Sequence, residues 1–321
     1  MQKGSHFLLS AAARTLSLKA VFQMGENNAY ETFRRLRWHE TDGEAVCPRC
    51  GCVETYDIAT RRRFKCVACH HQFSVTSGTM FASRKLSYTD LLAAIVIFVN
   101  GAKGIAALQL SRDLNVQYKT AFVLTHKLRE AMAQEQQNRQ LNGLVEIDGA
   151  YFGGYVKPEN HKADRKDRRL LENQTGKRQC VVIMRERNGR SLPFVVRREG
   201  DAVPLVRDHV GTLATIYADE GTGWDDLHNG WDVQRVNHSV SFMDEGVCTN
   251  QAESYFSRLR RMEIGTHHHI AGPYLNAYAG EAAWREDHRR VDNGKQAAMV
   301  GFAAMASQQS RKWAGYWQRA A

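Results

Sequence analysis

Two hydrophobic patterns divide the chain. Between residues 86 and 136, apolar positions recur every three or four residues, whereas after Leu141 they alternate with polar positions or form continuous runs. The first pattern is typical of amphipathic helices and the second of β-strands. We therefore predict a helical region followed by a sheet, and the length of 321 residues leaves room for several modules.

A helix near the N-terminus is predicted over residues 22–38, where apolar residues are spaced along one helical face. This face would brace whatever follows it in the chain. It consists of four residues: Ala29, Phe33, Leu36 and Trp38.

The helical region resembles a helix-turn-helix. Gly104 and Asn115 separate three predicted helices. The last two helices have apolar residues at inward positions, which are Ala107 and Leu110 in the first of them and Ala121, Leu124 and Leu128 in the second. An ordinary helical bundle would show the same spacing, so that alternative stays open. On the first interpretation, four polar residues point outward toward DNA: Lys119, Thr120, Lys127 and Arg129.

Four strands are predicted in the second half of the chain. A helix near residues 201–210 separates the third strand from the fourth, and another helix begins near Thr249. From about residue 273 the pattern returns to helix. The strand segments are LVEIDGAYFGG, RQCVVIMRER, SLPFVVRRE and TIYADEG, which together indicate a mixed sheet.

Charge points to a polyanionic partner. Lys and Arg outnumber Asp and Glu by 44 to 34, and the resulting net charge of +10 favours nucleic acid. The longest apolar stretch, Leu91 to Val99, is too short to span a bilayer, and no export signal is recognisable. We therefore expect a cytoplasmic protein with no membrane partner, in which the seven cysteines bind metal rather than form disulfides.

Two C-x₂-C pairs have the spacing of a four-thiolate zinc ribbon within residues 46–80. Each short turn lets two thiolates face one tetrahedral Zn²⁺, which would be structural because no coordination position stays open. Cys52, His70 or His71 could replace one ligand. The predicted ligands are Cys47, Cys50, Cys66 and Cys69.

Two basic segments are candidates for DNA contact. The first lies on the ribbon, where Phe64 either supports phosphate contact by stacking or simply packs under the ribbon. Its cations are Arg61, Arg62, Arg63 and Lys65. The second is a charged tract from Lys157 to Arg178, predicted to be an exposed loop that contacts the DNA backbone. Its central cations are Lys162, Arg165, Lys166, Arg168 and Arg169.

Three carboxylates lie in elements that can converge. Asp148 is central in the first strand, Asp219 ends the fourth, and Glu253 lies within the following helix. Such oxygen ligands suit Mg²⁺ or Mn²⁺, and two such ions would assist phosphodiester displacement. Arg260, two turns after Glu253, could contact a DNA phosphate, and Asn250 shares a helix face with Glu253 and could assist it.

Weaker candidates surround this set. His267, His268 and His269 could orient a phosphate or a water, although a polar turn is an equally good interpretation. Trp224 and Trp231 could stack on unpaired bases, but core packing is favoured.

Several motifs resemble one family. They include CPRCG, SGTMF, VEIDGAYFGG, YADEG, NQAESYFSRLRR and GTHHHI. The chain resembles the bacterial insertion-sequence transposases that join an N-terminal zinc ribbon to a DDE-type, ribonuclease-H-like α/β catalytic domain. That resemblance implies a multidomain α+β protein in which Asp148 and Asp219 are catalytic. It also implies an enzyme that cuts transposon ends and joins them to target DNA, acting as a homo-oligomer on double-stranded DNA.

The expected organisation has five parts. These are a helical brace at 1–45, the ribbon at 46–80, a helical DNA-binding module at 81–140, the ribonuclease-H-like domain at 141–272 and a C-terminal helical segment at 273–321. Two other functions remain open, namely a zinc-ribbon regulator without catalysis and a nuclease of the same fold that never joins ends.

Overall fold

The structure is a computed structural model that describes residues 6–136, 140–153, 161–166, 173, 176–236 and 248–319. The chain forms two compact units. Unit 1 comprises Met1–Glu135 together with His288–Ala321, and unit 2 comprises Gln136–Asp287. The C-terminal part expected at 273–321 is therefore divided, because its first helix packs on the sheet of unit 2 and the remainder belongs to unit 1.

Unit 1 is built mainly from helices. Numbered in chain order, they are α1 (Leu18–Arg37), α2 (Tyr88–Asn100), α3 (Ala107–Asp113), α4 (Tyr118–Gln136), α8 (Asn293–Ala306) and α9 (Tyr316–Arg319). Helix α2 is buried along most of its length, and both α1 and α8 pack on it. Gly301 on α8 lacks a side chain where Leu36 of α1 approaches, so these helices pack closely. The N-terminal helix is confirmed, with Ala29, Phe33 and Trp38 buried.

A small antiparallel sheet forms the ribbon. Its strands are β1 (Thr55–Ile58), β2 (Arg63–Cys66) and β3 (Gln72–Phe73), in that order. Trp38 packs edge-on against Phe64 with ring centroids 5.3 Å apart, and Phe64 also contacts Phe73. Phe64 is only 2% exposed, so it packs under the ribbon and is not available for stacking on a base.

Helices α3 and α4 follow the predicted helix-turn-helix pattern. Asn115 takes a left-handed conformation (φ 50°) at the turn, which an asparagine tolerates well. One prediction here is wrong. Arg129 does not point outward but is 1% exposed, with its guanidinium 5.5 Å from the centroid of the Phe98 ring. The buried face of α4 is broader than the spacing of Leu124 and Leu128 suggested, and it includes Arg129.

Unit 2 contains a five-stranded mixed sheet. Its strands are β4 (Leu144–Phe152), β5 (Gln179–Glu186), β6 (Ser191–Val196), β7 (Thr215–Asp219) and β8 (Asp232–Val236), and its helices are α5 (Val203–His209), α6 (Asn250–Met262) and α7 (Gly272–Asp287). The strand order is β6-β5-β4-β7-β8. Strands β6, β5 and β4 pair antiparallel, whereas β4, β7 and β8 pair parallel. The sequence had indicated four of these strands and missed β8.

Each face of this sheet carries its own core. Val145 and Ile147 of β4 face a core formed with α5, whereas Ala150 and Phe152 face α6 and α7. Alternation therefore places the even-numbered residues of β4 on the α6 side. Trp224 is completely buried in the α5-side core, which fits packing and not base stacking. The mixed sheet with helices on both faces confirms the predicted α+β, ribonuclease-H-like fold.

Among the described residues, no helix has the length and apolar character needed to cross a membrane.

Candidate active site and metal centre

Four cysteine thiols form a compact cluster in the ribbon. The Sγ atoms of Cys47, Cys50, Cys66 and Cys69 all lie within 4.8 Å of one another. Cys66 accepts a hydrogen bond from the Cys69 backbone N–H at 3.4 Å, and this bond is the main cause that lowers the pKa of Cys66 to about 6. Four closely spaced sulfurs, one of them already favouring the thiolate, fit a tetrahedral Zn²⁺.

The other candidate zinc ligands lie outside this cluster. The Sγ of Cys52 donates to the carbonyl of Glu54 at 3.6 Å, and the ring of His71 stacks on Phe73. With four sulfur ligands the ion would have no open position, so its role is structural. Binding would also stabilise a ribbon that has little core of its own.

Two of the predicted catalytic carboxylates lie side by side on the sheet of unit 2. Strands β4 and β7 pair parallel, with Ile147 opposite Ala218. The residues that follow this pair are Asp148 in β4 and Asp219 in β7. One Asp148 oxygen accepts the Gly149 N–H at 2.7 Å, and Asp219 accepts the Gly221 N–H at 3.1 Å. The strand pairing therefore brings together residues that are 71 positions apart in the sequence.

The surroundings of Asp148 favour its neutral form. Burial is the main cause that raises the pKa of Asp148 to about 7, and the nearby charges of Asp219, Glu199 and Glu253 contribute to this rise against the opposing Gly149 hydrogen bond. These carboxylates are close enough to repel one another, and a divalent cation would relieve that repulsion. Within the described residues, however, only the cysteine cluster has its ligand atoms drawn together as a metal site would require.

Glu199 is a neighbour of this site that sequence reasoning missed. It follows β6, and its side chain occupies the space beside Gly149, where an added Cβ would come within 2.5 Å of the Glu199 Cγ. Burial and the charge of Asp219 raise the pKa of Glu199. The only sequence signal was the glycine after Asp148, since a side chain there would displace the glutamate.

Glu146 was also missed, although it holds α6 against β4. Its carboxylate is fully buried and accepts the backbone N–H groups of Gln251 and Ala252 at 2.8 and 3.1 Å. Its other oxygen accepts two N–H groups of Arg187, each at 3.1 Å. The Arg187 guanidinium lies 5.0 Å from the ring centroid of Tyr217 on β7. One ion pair therefore joins the three elements that carry Asp148, Asp219 and Glu253.

The first turn of α6 presents Asn250 and Glu253 to solvent. Asn250 is the first helical residue, and the cap position belongs to Thr249, whose side chain makes no capping bond. The free backbone N–H groups of Gln251 and Ala252 in this first turn are donated to Glu146 instead. Arg260 is exposed, with its guanidinium 5.8 Å from the Phe256 ring centroid.

The remaining predicted DNA contacts differ in accessibility. Most are exposed: Arg61, Arg63, Lys119, Lys162, Arg165 and Lys166. Arg62 is partly buried and pairs with Glu26 at 3.0 Å, Lys65 is half-buried, and burial lowers the pKa of the half-buried Lys127. Arg168 and Arg169 lie outside the described residues.

Of the histidine turn, His267 packs edge-on against Tyr278, whereas His268 and His269 are exposed.

Comparison with known protein families gives one match within each unit. The ISXO2-like transposase domain matches residues 140–287, and the transposase zinc-ribbon domain matches residues 24–72. A comparison with curated proteins found no match. Among solved structures, the crystal structure of the Mos1 strand transfer complex is similar at 10% identity, covering 66% of this chain and 78% of that one. Its TM-score of 0.24 makes this likeness too distant to inform the site. The two matched domains show that the chain belongs to the insertion-sequence transposases that combine an N-terminal zinc ribbon with a DDE-type transposase domain.

Proposed function

We propose that this transposase cuts and joins DNA strands with divalent metal held by Asp148, Asp219 and Glu253. The observation that carries the proposal is the pairing of β4 with β7, which puts Asp148 beside Asp219 on the sheet face that α6 covers. The influence of Glu253 on the pKa of Asp148 supports its place in the same set. Mg²⁺ or Mn²⁺ suits such oxygen ligands.

Each side chain has a separate task in this proposal. Asp148 and Asp219 supply negative oxygens from a rigid sheet, and Glu253 adds a third carboxylate from α6. Bound metal would activate the attacking oxygen and stabilise the leaving one. Arg260, exposed on the same helix, would contact a DNA phosphate near the cut. Glu146 contacts none of the reacting groups but fixes the helix that carries Glu253.

Incubation of the purified protein with labelled DNA that carries the ends of its own element, in Mg²⁺, tests this function. We expect cut ends and joined products, both absent from an Asp148→Asn variant. Binding without cutting would indicate a zinc-ribbon regulator, and cutting without joining would indicate a nuclease. Either result would overturn the proposed reaction.

The third ligand is tested separately, because Asn250 and Glu253 both lie on the exposed first turn of α6. We assign the role to Glu253, since a carboxylate neutralises divalent metal better than an amide does. Glu253→Ala should abolish strand transfer and weaken Mn²⁺ binding, whereas Asn250→Ala should retain partial activity. Ser254→Ala, on the same helix, is the matched control. Loss of activity in Asn250→Ala with normal activity in Glu253→Ala would reverse the assignment.

A further inference from the structure

Unit 1 contains a cavity of about 630 Å³ between α4 and the C-terminal segment that precedes and includes α9. The segment is anchored to α4, because Ser310 Oγ donates to the Glu130 carboxylate at 2.7 Å. Trp313 stacks on His126 with ring centroids 4.3 Å apart. The two walls are therefore held at a defined spacing, and we call this space the aromatic cavity.

One wall of the aromatic cavity presents aromatic rings. Trp313, Tyr316 and Trp317 all line it. Trp313 is buried, but Trp317 remains 40% exposed, which is unusual for the largest side chain of a protein. The Lys119 ammonium lies 5.2 Å from the Trp317 ring centroid. The ammonium lies over the ring, so this exposed tryptophan and its cation together offer an aromatic surface and a charge contact to a ligand.

Charge restricts the kind of ligand. Four cations line the aromatic cavity, namely Arg84, Lys85, Lys119 and Lys127, and none of the described lining residues is acidic. Burial lowers the pKa of Lys127, so a neighbouring anion would favour its charged form. A basic or purely apolar partner would leave these charges unmatched.

A second cleft adjoins the first. It has a volume of about 760 Å³ and is lined by Arg61, Arg62 and Arg63 of the ribbon with several hydroxyl side chains. Ser83 and Arg84 line both spaces, so the two spaces lie next to each other. The Arg84 guanidinium stacks 3.4 Å from the Tyr88 ring centroid, and within the described residues its buried Nε has no hydrogen-bond partner. Cations thus follow one path from the ribbon to the aromatic rings.

We propose that this path binds a DNA strand, with backbone phosphates on the ribbon arginines and an unpaired base stacked on Trp317 in the aromatic cavity. The inference rests on the proposed DNA-binding function and adds a class of ligand, single-stranded or frayed DNA. A paired base keeps its faces covered by its neighbours in the duplex, whereas an unpaired base can stack on an aromatic side chain. Phosphates of the same strand match the cations that line both spaces.

Binding of two short duplexes tests the proposal. One is blunt, and the other carries unpaired nucleotides at one end, with 2-aminopurine as the last base. Native protein should bind the second duplex more tightly and quench its 2-aminopurine fluorescence by stacking. Trp317→Ala should weaken binding of that duplex by about fivefold or more and leave the blunt duplex nearly unaffected. Trp317→Phe should keep most of the preference.

The controls separate the possible outcomes. Phe302→Ala removes a similarly exposed aromatic residue of unit 1 outside the aromatic cavity, and it should change neither affinity. If Trp317→Ala does not fold, the base site is tested by the quenching that the native protein produces and by the affinity of Lys119→Ala for the two duplexes. Absence of quenching, or equal weakening of both duplexes, overturns the base site. Failure of the native protein to bind either duplex overturns the DNA-binding function itself.

Discussion

At the scale of single residues, Asp148 shows how the surroundings of a carboxylate can disfavour its ionised form. Its partly buried side chain and the nearby charges of Asp219, Glu199 and Glu253 all penalise the ionised form. The folded protein therefore holds a proton that the unfolded chain has released over much of the range from pH 4 to pH 7. Without divalent metal, this carboxyl group reduces stability as the pH rises.

We expect this cost to appear when native protein is compared with Asp148→Asn in buffer without Mg²⁺. Because the folded pKa of about 7 lies above the ordinary value of 3.8, the free energy of unfolding of the native protein should fall between those pH values. The amide variant should lose that part of the pH dependence. Urea unfolding at several pH values measures the difference, and parallel profiles for the two proteins would contradict it.

The ribbon cysteines give a second prediction. Cys47→Ser or Cys66→Ser should eliminate bound zinc in elemental analysis and unfold the ribbon, because the metal supplies much of its folding free energy. Cys52→Ser is the matched control, since its sulfur contacts a backbone carbonyl outside the cluster. Retention of zinc by both cluster variants would show that the four thiols are not its ligands.

At the scale of elements, the Glu146–Arg187 pair connects β4, β7 and α6. Removing the charge of Glu146 leaves Arg187 and the first N–H groups of α6 without their carboxylate. Breaking a buried ion pair from one side costs about 3 kcal/mol. Glu146→Gln should lower the free energy of unfolding by about this amount and also weaken Mn²⁺ binding, because Glu253 is then held less firmly.

Urea unfolding and Mn²⁺ titration check both parts of that expectation. Asp208→Asn on α5 removes an exposed acid of the same unit and should change neither quantity. Normal stability in Glu146→Gln would show that the ion pair contributes little to holding α6. Lower stability with unchanged Mn²⁺ affinity would show that it stabilises the fold without positioning Glu253.

The sequence was sufficient for elements with strong local patterns. Long apolar runs indicated β4, β5 and β7, whereas the polar, half-exposed β8 has no such run. Glu146 and Glu199 could not be assigned, because a glutamate becomes a helix anchor or a site neighbour only through residues distant in the chain. Arg129 was misplaced for a related reason, since only packing decides how wide the buried face of a helix becomes.

At the scale of the whole molecule, positive charge should govern DNA affinity. The exposed cations Lys162, Arg165 and Lys166, together with Arg168 and Arg169, can each neutralise one phosphate. Replacing all five by Ala should reduce the salt dependence of duplex binding, because each lost phosphate contact lowers the slope of log K against log salt by about 0.9.

Binding measured over a range of salt concentrations provides this slope. Lys19→Ala, an exposed cation outside the tract, should leave it unchanged. If the variant with all five cations replaced keeps the native slope of log K against log salt, the tract does not contact the DNA backbone.

Unit 1 is assembled from two segments that are far apart in the chain, and this affects the order in which the protein can fold during synthesis. Asn293, at the start of α8, donates to Asn100 at the end of α2, and 193 residues separate them. A ribosome adding five to twenty residues per second needs roughly 10–40 s to cover that distance. Helix α2 thus emerges long before α8, the helix that packs on it. By the time α8 is synthesised, all the strands of the unit 2 sheet have already been made. Unit 1 can therefore close only after the strands of unit 2 have been synthesised and α8 has emerged.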